Sequence, residues 1–262
     1  MTIAFEDIIY DVRGRAAWLI INRPKVYNAF RGQTVEELIS GFQLAARDRE
    51  VASIVLTGVG EKAFCTGGDQ SVHDGSYDGR GVAGLPIDEL QGLIRDTPKP
   101  VIARVNGYAI GGGNVLATLC DLTIAADTAI FGQVGPKMGS VDAGWGTALL
   151  ARHVGDKKAR EIWFINDRYS AAEALQMGLV NKVVPAAELD AAVADWTDKL
   201  ALRSPTALAL AKRSFNADSD NIRGISNMGL HALKLYYDTE ESKEGVRALN
   251  EKREPNFRKY LS

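Results

Sequence analysis

Cysteine and histidine are scarce in this sequence. The two cysteines, Cys65 and Cys120, are too few for a disulfide framework or a zinc site, and we predict that both are reduced thiols. The three histidines, His73, His153 and His231, lack metal-ligand spacing with a carboxylate or a cysteine. The sequence therefore predicts no metal site and gives little support to a Ser–His–Asp mechanism.

An excess of charge and long apolar runs are also missing. The 31 Lys and Arg nearly balance the 33 Asp and Glu, for a formal net charge of −2, so we predict no nucleic-acid partner and no binding to an anionic membrane. The longest apolar runs, such as "VLATLC", are too short to span a bilayer. The N-terminal "MTIAFEDIIYD" carries acids where an export signal carries Lys or Arg, which predicts a cytoplasmic protein.

What is present predicts an α/β fold. Among the 262 residues, strands are expected in "IIYDVRGRAAWLIINRP" and "ASIVLTG", and a helix in "TVEELISGFQLAARDR" with a capping box formed by Thr34 and Glu37. A strand–turn–helix unit recurs before residue 150, and mainly helical segments follow. We therefore predict an α/β core over residues 1–200 and a C-terminal helical region over 201–262.

Two glycine clusters share an arrangement that suits anion stabilisation. "FCTGGDQ" follows a predicted strand, and "NGYAIGGGNVLATLCDL" runs from a strand through three glycines into an apolar helix. Backbone N–H groups at such positions are able to form an oxyanion hole. The alternative is that these glycines serve only tight turns and helix packing, and for either cluster alone this alternative is favoured. The Gly-, Asp- and Ser-rich segment from Ala63 to Pro86 is predicted to be a long surface loop.

A third stretch, "GPKMGSVDAGWG" from Gly135 to Gly146, sets Ser140 and Asp142 two residues apart. One interpretation is a catalytic pair that works without histidine, with glycines that let it approach a flat ligand. The other is a Ser–Asp turn held by local hydrogen bonds. Neither a dinucleotide-binding glycine motif nor a nucleophile elbow occurs in the sequence.

Together, "AFCTGGD", "KPVIARVNGYAIGGGNVLATLCDLTIAADTAIFGQ" and "AAEALQMGLVNKVVP" closely resemble the crotonase (enoyl-CoA hydratase/isomerase) superfamily, from about Trp18 to Phe257. The resemblance implies an enolate of a coenzyme A thioester, held by the N–H groups of Gly68 and Gly112. It also implies a spiral of repeated ββα units, with a C-terminal helical region that builds homotrimers or, as dimers of trimers, homohexamers.

Departures from the superfamily pattern narrow the implied activity. Hydratases carry two glutamates where this chain has Val115 and Gly135, so simple hydration is not expected. "FGQVGPKMGSVDAGWG" and "LKLYYDTEE" resemble the naphthoate-synthase-like branch, which implies catalytic roles for Ser140, Asp142 and Tyr237. In that assignment Asp142 is the acid–base group, Ser140 bonds the ketone oxygen, and Tyr237 is a donor near the reacting carbon.

Within that branch, "CTGGDQSVHDGSYDGRG" and "KLYYDT" are most similar to the 2-ketocyclohexanecarboxyl-CoA hydrolases, which open a ring to give pimeloyl-CoA. The alternative is the synthase activity itself, 1,4-dihydroxy-2-naphthoyl-CoA formation, although Asn114 stands where the synthases have histidine. A non-catalytic scaffold and a simple thioesterase are further alternatives from other classes.

The resemblance also implies the substrate contacts. Coenzyme A enters as part of the acyl-CoA substrate, and no tightly bound cofactor is expected. Bicarbonate near Gly135 is left open, because Gln133 and Trp163 match the pocket that holds it in some synthases whereas Val134 replaces its threonine. The implied substrate-binding residues are Lys25, Val26, Ala29, Arg31, Thr66, Asp69, Gln70, Tyr77, Gly135 and Lys252.

Overall fold

A computed structural model describes residues 5–72, 77 and 79–260 of the chain. Its main sheet has six strands in the order β1-β2-β3-β5-β7-β10, parallel except for the antiparallel β1–β2 hairpin. The predicted first hairpin and the "ASIVLTG" strand are confirmed. The strands are β1 (Ile8–Arg13), β2 (Ala16–Ile21), β3 (Ser53–Gly58), β5 (Val101–Val105), β7 (Leu122–Ala126) and β10 (Lys182–Val184).

A second sheet of very short strands lies in the order β4-β6-β8-β9. Its members are β4 (Ala63–Cys65), β6 (Tyr108–Ile110), β8 (Ile130–Gly132) and β9 (Tyr169–Ser170). From β3 to β8, each repeat therefore sends its first strand to the main sheet and its second to this one, whereas β9 joins this sheet before β10 joins the main one. Two or three residues are too few to show a period of two, so the residue pattern indicated one strand per repeat, whereas the ββα repeat implied by the resemblance is confirmed.

The helices follow the predicted order and dominate the second half of the chain. They are α1 (Gly32–Arg47), α2 (Ile87–Asp96), α3 (Gly112–Leu119), α4 (Gly135–Met138), α5 (Leu150–Val154), α6 (Asp156–Ile165), α7 (Ala171–Gln176), α8 (Leu189–Ala201), α9 (Pro205–Ala217), α10 (Asn221–Tyr237) and α11 (Glu240–Asn250). The division that we predict at residue 200 falls in the last turn of α8 and stays a prediction. No helix within the described ranges is long and apolar enough to cross a bilayer.

The start of α1 differs from the predicted capping box. The helix begins two residues earlier, and the N–H of Arg31 donates to Thr34 Oγ1 at 3.1 Å. The carboxylate of Glu37 instead accepts the N–H groups of Asp7 (2.8 Å) and Ile8 (3.1 Å), at the start of β1. Glu37 is buried beside these N–H groups, so a long-range contact takes the place of the local one.

The segment from Ala63 to Pro86 is not simply a surface loop. It contains β4, and the side chains of Tyr77, Ala83 and Leu85 are buried. Their burial fixes the ends of this segment against the body of the protein, next to the first glycine cluster. His73 lies outside the described residues.

Candidate active site

One cavity of about 460 Å³ lies where the two glycine clusters meet the segment around Asp142. Residues of α2 and α10 close its other sides. This volume is within the usual range for small-molecule sites. All five predicted catalytic residues line it: Gly68, Gly112, Ser140, Asp142 and Tyr237.

The two glycine clusters lie side by side at one end of this cavity. A Cβ atom built on Gly67 would stand only 2.9 Å from the amide nitrogen of Gly112. Gly112 is the first residue of α3, so its N–H lies in the first turn, where helices lack internal acceptors. The N–H of Phe30 donates to Gly67 O and that of Asp69 to Phe30 O, so the intervening Gly68 N–H points away from Phe30. Both glycines line the cavity, so their N–H groups are candidates for an oxyanion hole.

The triple glycine is required by its backbone and its close packing. Gly111 has φ 56° and ψ −125°, a conformation that L side chains rarely adopt. A Cβ on Gly113 would lie 1.9 Å from the carbonyl oxygen of Cys65. These two positions allow α3 to start directly against β4, which is what brings Gly112 next to Gly67.

Ser140 and Tyr237 form a hydroxyl pair in the lining of the same cavity. Ser140 Oγ and Tyr237 Oη are 2.7 Å apart, and Tyr237 is buried at the last position of α10. Burial raises the pKa of Tyr237, and the nearby Asp142 charge adds to this effect. The phenol therefore stays protonated at neutral pH and can donate. This tyrosine belongs to the same chain as Ser140.

Asp142 is held by two hydrogen-bond donors, one from the backbone and one from a side chain. Its Oδ1 accepts the N–H of Gly146 at 3.0 Å, and its Oδ2 accepts Gln91 Nε2 at 3.2 Å. Burial raises the pKa of Asp142 from 3.8 to about 6, although both donors act in the lowering direction. A carboxylate with a pKa close to neutral is suited to acid–base catalysis.

Glycines around this pair serve packing more than ligand access. A Cβ on Gly139 would lie 2.2 Å from Ser242 O of α11, and one on Gly144 would lie 2.6 Å from Ser226 N of α10. The C-terminal helices thus rest directly on the backbone of this loop. We therefore correct the expectation that these two glycines allow approach to a flat thioester. They let α10 bring Tyr237 to Ser140.

Four of the predicted substrate-binding residues line the cavity: Thr66, Gln70, Tyr77 and Gly135. Six do not: Lys25, Val26, Ala29, Arg31, Asp69 and Lys252. Two of these six are engaged within the protein. Arg31 Nε pairs with Asp7 at 2.8 Å, and Asp69 pairs with Arg23 at 2.8 Å. Contact of these six residues with coenzyme A stays a prediction.

The pocket that would hold bicarbonate has few donors left. Trp163 Nε1 donates to the carbonyl of Gly146, and the Val134 side chain has no polar atom. Only the amide of Gln133 remains, and both of its polar atoms lack a partner among the described residues. The Gln133 amide could bind one oxygen of bicarbonate, whereas the Trp163 and Val134 side chains offer no free donor, and no step below depends on this ion.

Several cavity residues were absent from the sequence-based prediction, and two of them carry long polar side chains. Gln91 lies on α2 beside Asp142, and Arg168 lies near Tyr108 at an exposed part of the wall. A glutamine on a helix and a lone exposed arginine give no pattern that distinguishes them from ordinary surface residues. Only the packing of α2 against the loop around Asp142 reveals the first of them.

Adding a methyl group to Gly68 should displace Tyr77 from the cavity. A Cβ there would lie 1.9 Å from Tyr77 Oη and 3.0 Å from its Cζ. We expect Gly68→Ala to lower kcat/KM by about 10²-fold, the usual cost of a small displacement of reacting groups, because the backbone N–H is kept but the new methyl group pushes against Tyr77. In a Tyr77→Ala background the same change should cost much less. Gly224→Ala, which meets nothing within 4 Å, is the matched control. Equal losses in both backgrounds would contradict this contact.

Comparison with known proteins agrees with this fold. The family model described as Enoyl-CoA hydratase/isomerase matches residues 15–260. The solved structure of an enoyl-CoA hydratase from Mycobacterium avium subsp. paratuberculosis K-10 is 27% identical in sequence, with a TM-score of 0.87. The alignment covers 97% of this chain and 99% of the hydratase chain. A carnitinyl-CoA hydratase from Mycobacterium avium is 30% identical, with a TM-score of 0.83, covering 97% and 98%. This chain belongs to the enoyl-CoA hydratase/isomerase family, the crotonase superfamily.

Proposed function

We propose that this enzyme opens the ring of a cyclic β-keto coenzyme A thioester by hydrolysis, converting 2-ketocyclohexanecarboxyl-CoA to pimeloyl-CoA. The observation that carries the proposal is that one carboxylate, a pair of hydroxyl groups and the two glycines of the expected oxyanion hole line a single cavity. Such a cavity offers separate places for a ketone and for a thioester oxygen.

Hydration of an enoyl-CoA is not supported by the residues of this cavity. Of the described residues that line it, Asp142 alone carries a carboxylate. The two positions where hydratases of the superfamily carry glutamate hold Val115, buried in α3, and Gly135, at the start of α4. The solved structures named hydratases therefore share the fold with this chain, and the chain itself lacks the two glutamates expected of a hydratase.

In the proposed reaction, Asp142 accepts a proton from the attacking water, and Ser140 with Tyr237 donates to the ketone oxygen. The hydrate then collapses, and the bond between the former ketone carbon and the carbon next to the thioester breaks. The electron pair passes to the thioester, whose oxygen is stabilised by the N–H groups of Gly68 and Gly112. Tyr237, as the nearby donor, protonates the carbon, and the proton that Asp142 took from water returns to the Tyr237 oxygen, which gives the open-chain thioester and restores both groups.

Mass spectrometry of the products tests this proposal. We expect 2-ketocyclohexanecarboxyl-CoA to gain the mass of one water while keeping its thioester. Release of free coenzyme A would indicate a thioesterase instead. A parallel incubation with o-succinylbenzoyl-CoA tests the second candidate, cyclisation to 1,4-dihydroxy-2-naphthoyl-CoA. An unchanged cyclic substrate together with a hydrated enoyl-CoA would overturn the proposal.

We also propose a cytoplasmic homotrimer or homohexamer. Large apolar side chains remain exposed on the helices of the C-terminal half, and surfaces of this kind often mark contacts between subunits. They are Phe164, Ile165, Leu210, Phe215, Met228 and Leu235.

A further inference from the structure

One polar atom of the Gln91 side-chain amide has a hydrogen-bond partner among the described residues, and the other has none. The side chain is only 2% exposed and lines the cavity, and its Nε2 donates to Asp142 Oδ2. Its Oε1 is buried and has no hydrogen-bond partner among the described residues. A buried polar atom without a partner costs about 1–3 kcal/mol, so such an atom in a cavity wall indicates a bound donor.

We propose that Gln91 Oε1 and the Asp142 carboxylate together hold the water that attacks the substrate. This inference rests on the proposed ring-opening function and adds a residue and a water site to it. Gln91 would then be a catalytic residue that touches the nucleophile, in addition to fixing the carboxylate that deprotonates it.

The direction of the amide follows from the charge of its neighbour. An ionised carboxylate only accepts hydrogen bonds, so the amide nitrogen must face Asp142, and the amide oxygen is left for another donor. The Gly146 N–H holds the other carboxylate oxygen, so Asp142 cannot turn freely. Both acceptors therefore have fixed positions before a substrate enters.

Two fixed acceptors orient a water in the way that the attack requires. One O–H of the water donates to Asp142 and the other to Gln91 Oε1, which leaves a lone pair for the ketone carbon. When the O–C bond forms, the first proton moves to Asp142 and the ketone π electrons move to its oxygen. Cleavage of the C–C bond and protonation of the enolate carbon then complete the addition of one water.

Two reactions of the same enzyme separate this role from a general effect on the site. Ring opening needs the attacking water, whereas exchange of the α-hydrogens of pimeloyl-CoA in D₂O needs only enolate formation and return of a proton. We expect Gln91→Leu and Gln91→Met to lower kcat for ring opening by about 10²-fold, the usual cost of a misplaced reacting group. Exchange and KM should change by less than about threefold.

Asp88→Asn, an exposed change on the same helix, is the control and should leave both reactions unchanged. Thermal unfolding checks that each variant is folded. Wild-type ring opening in a folded Gln91→Leu or Gln91→Met variant would overturn the water site, as would equal losses of ring opening and exchange. If the wild-type enzyme fails to open the ring at all, the proposed function itself is wrong, and this inference falls with it.

Discussion

Replacing Asp142 with Asn is expected to lower kcat for ring opening by about 10²–10⁴-fold, the usual contribution of a general base. Asn keeps the shape of the side chain, and its oxygen can still accept from Gly146 N–H or Gln91. It cannot take a proton from water. Binding of the thioester should change little, because the N–H groups of Gly68 and Gly112 are untouched.

The comparison of turnover with binding checks this expectation. Steady-state kinetics give kcat, and calorimetry with a non-hydrolysable thioester analogue gives the affinity. Asp88→Asn serves again as the matched control, since it makes the same chemical change at an exposed position of α2. Retained turnover in a folded Asp142→Asn variant would remove Asp142 from the mechanism.

The same carboxylate sets a pH dependence. Burial raises the pKa of Asp142 to about 6, and a general base works only when it is ionised. kcat should therefore rise with pH through about 6 and level off above it, as long as Tyr237 stays protonated. Folding raises the pKa of Asp142. At pH values above the pKa that Asp142 has in the unfolded chain, its ionised form therefore lowers the free energy of unfolding. Asp142→Asn should thus unfold no more easily than the wild type at pH 7.5.

The second large effect is expected for stability, from Lys212→Met. Lys212, on α9, is buried, and its Nζ donates to Asp121 Oδ2 (2.7 Å), Ile94 O (2.9 Å) and Lys99 O (3.1 Å). Its loss leaves the Asp121 carboxylate with the Val101 N–H as its only partner among the described residues. Lys212 is buried, but the Asp121 side chain is 27% exposed, so solvent screens part of the lost interaction, and the change should cost about 1–3 kcal/mol of unfolding free energy.

Replacing both Lys212 and Asp121 distinguishes the effect of the unpaired charge from the effect of lost packing. Burial raises the pKa of Asp121 and lowers that of Lys212, so each charge is unfavourable without the other. The double variant Lys212→Met, Asp121→Asn should therefore recover much of the lost stability. Lys199→Met breaks an exposed Lys–Asp pair on α8 and should cost at most about 1 kcal/mol.

The sign of the pH effect in Lys212→Met follows from the unpaired acid. Without Lys212, the folded-state pKa of Asp121 rises further above its unfolded value, so the folded protein binds the proton more tightly. The stability deficit should therefore be smaller at pH 5 than at pH 8, as measured by denaturant unfolding. A deficit that does not depend on pH would show that packing, and not the charge, explains the loss. This pair matters for function because it anchors α9 to the end of α2, which carries Gln91.

The sequence by itself determined the local features of this protein. The first hairpin, the apolar face of α1 and the order of the helices follow from short-range periodicity and turn residues, which act within a few positions of the chain. The glycine clusters were visible for the same reason, because a backbone that starts a helix directly after a strand needs glycine at Gly111. The resemblance added the ββα spiral and the family, which the comparisons confirm.

The tertiary structure decided which side chains meet. Ser140 and Tyr237 are 97 positions apart, and Gln91 and Asp142 are 51 apart, so no local pattern records either contact. Glu37 likewise does not form the predicted helix cap, because its carboxylate accepts the N–H groups at the start of β1. Periodicity tells which face of an element is buried, whereas the partner across that face depends on how whole elements pack. For this reason the chemistry of the site appears only in the folded chain. There, a carboxylate of raised pKa lies beside an amide whose oxygen has no hydrogen-bond partner among the described residues.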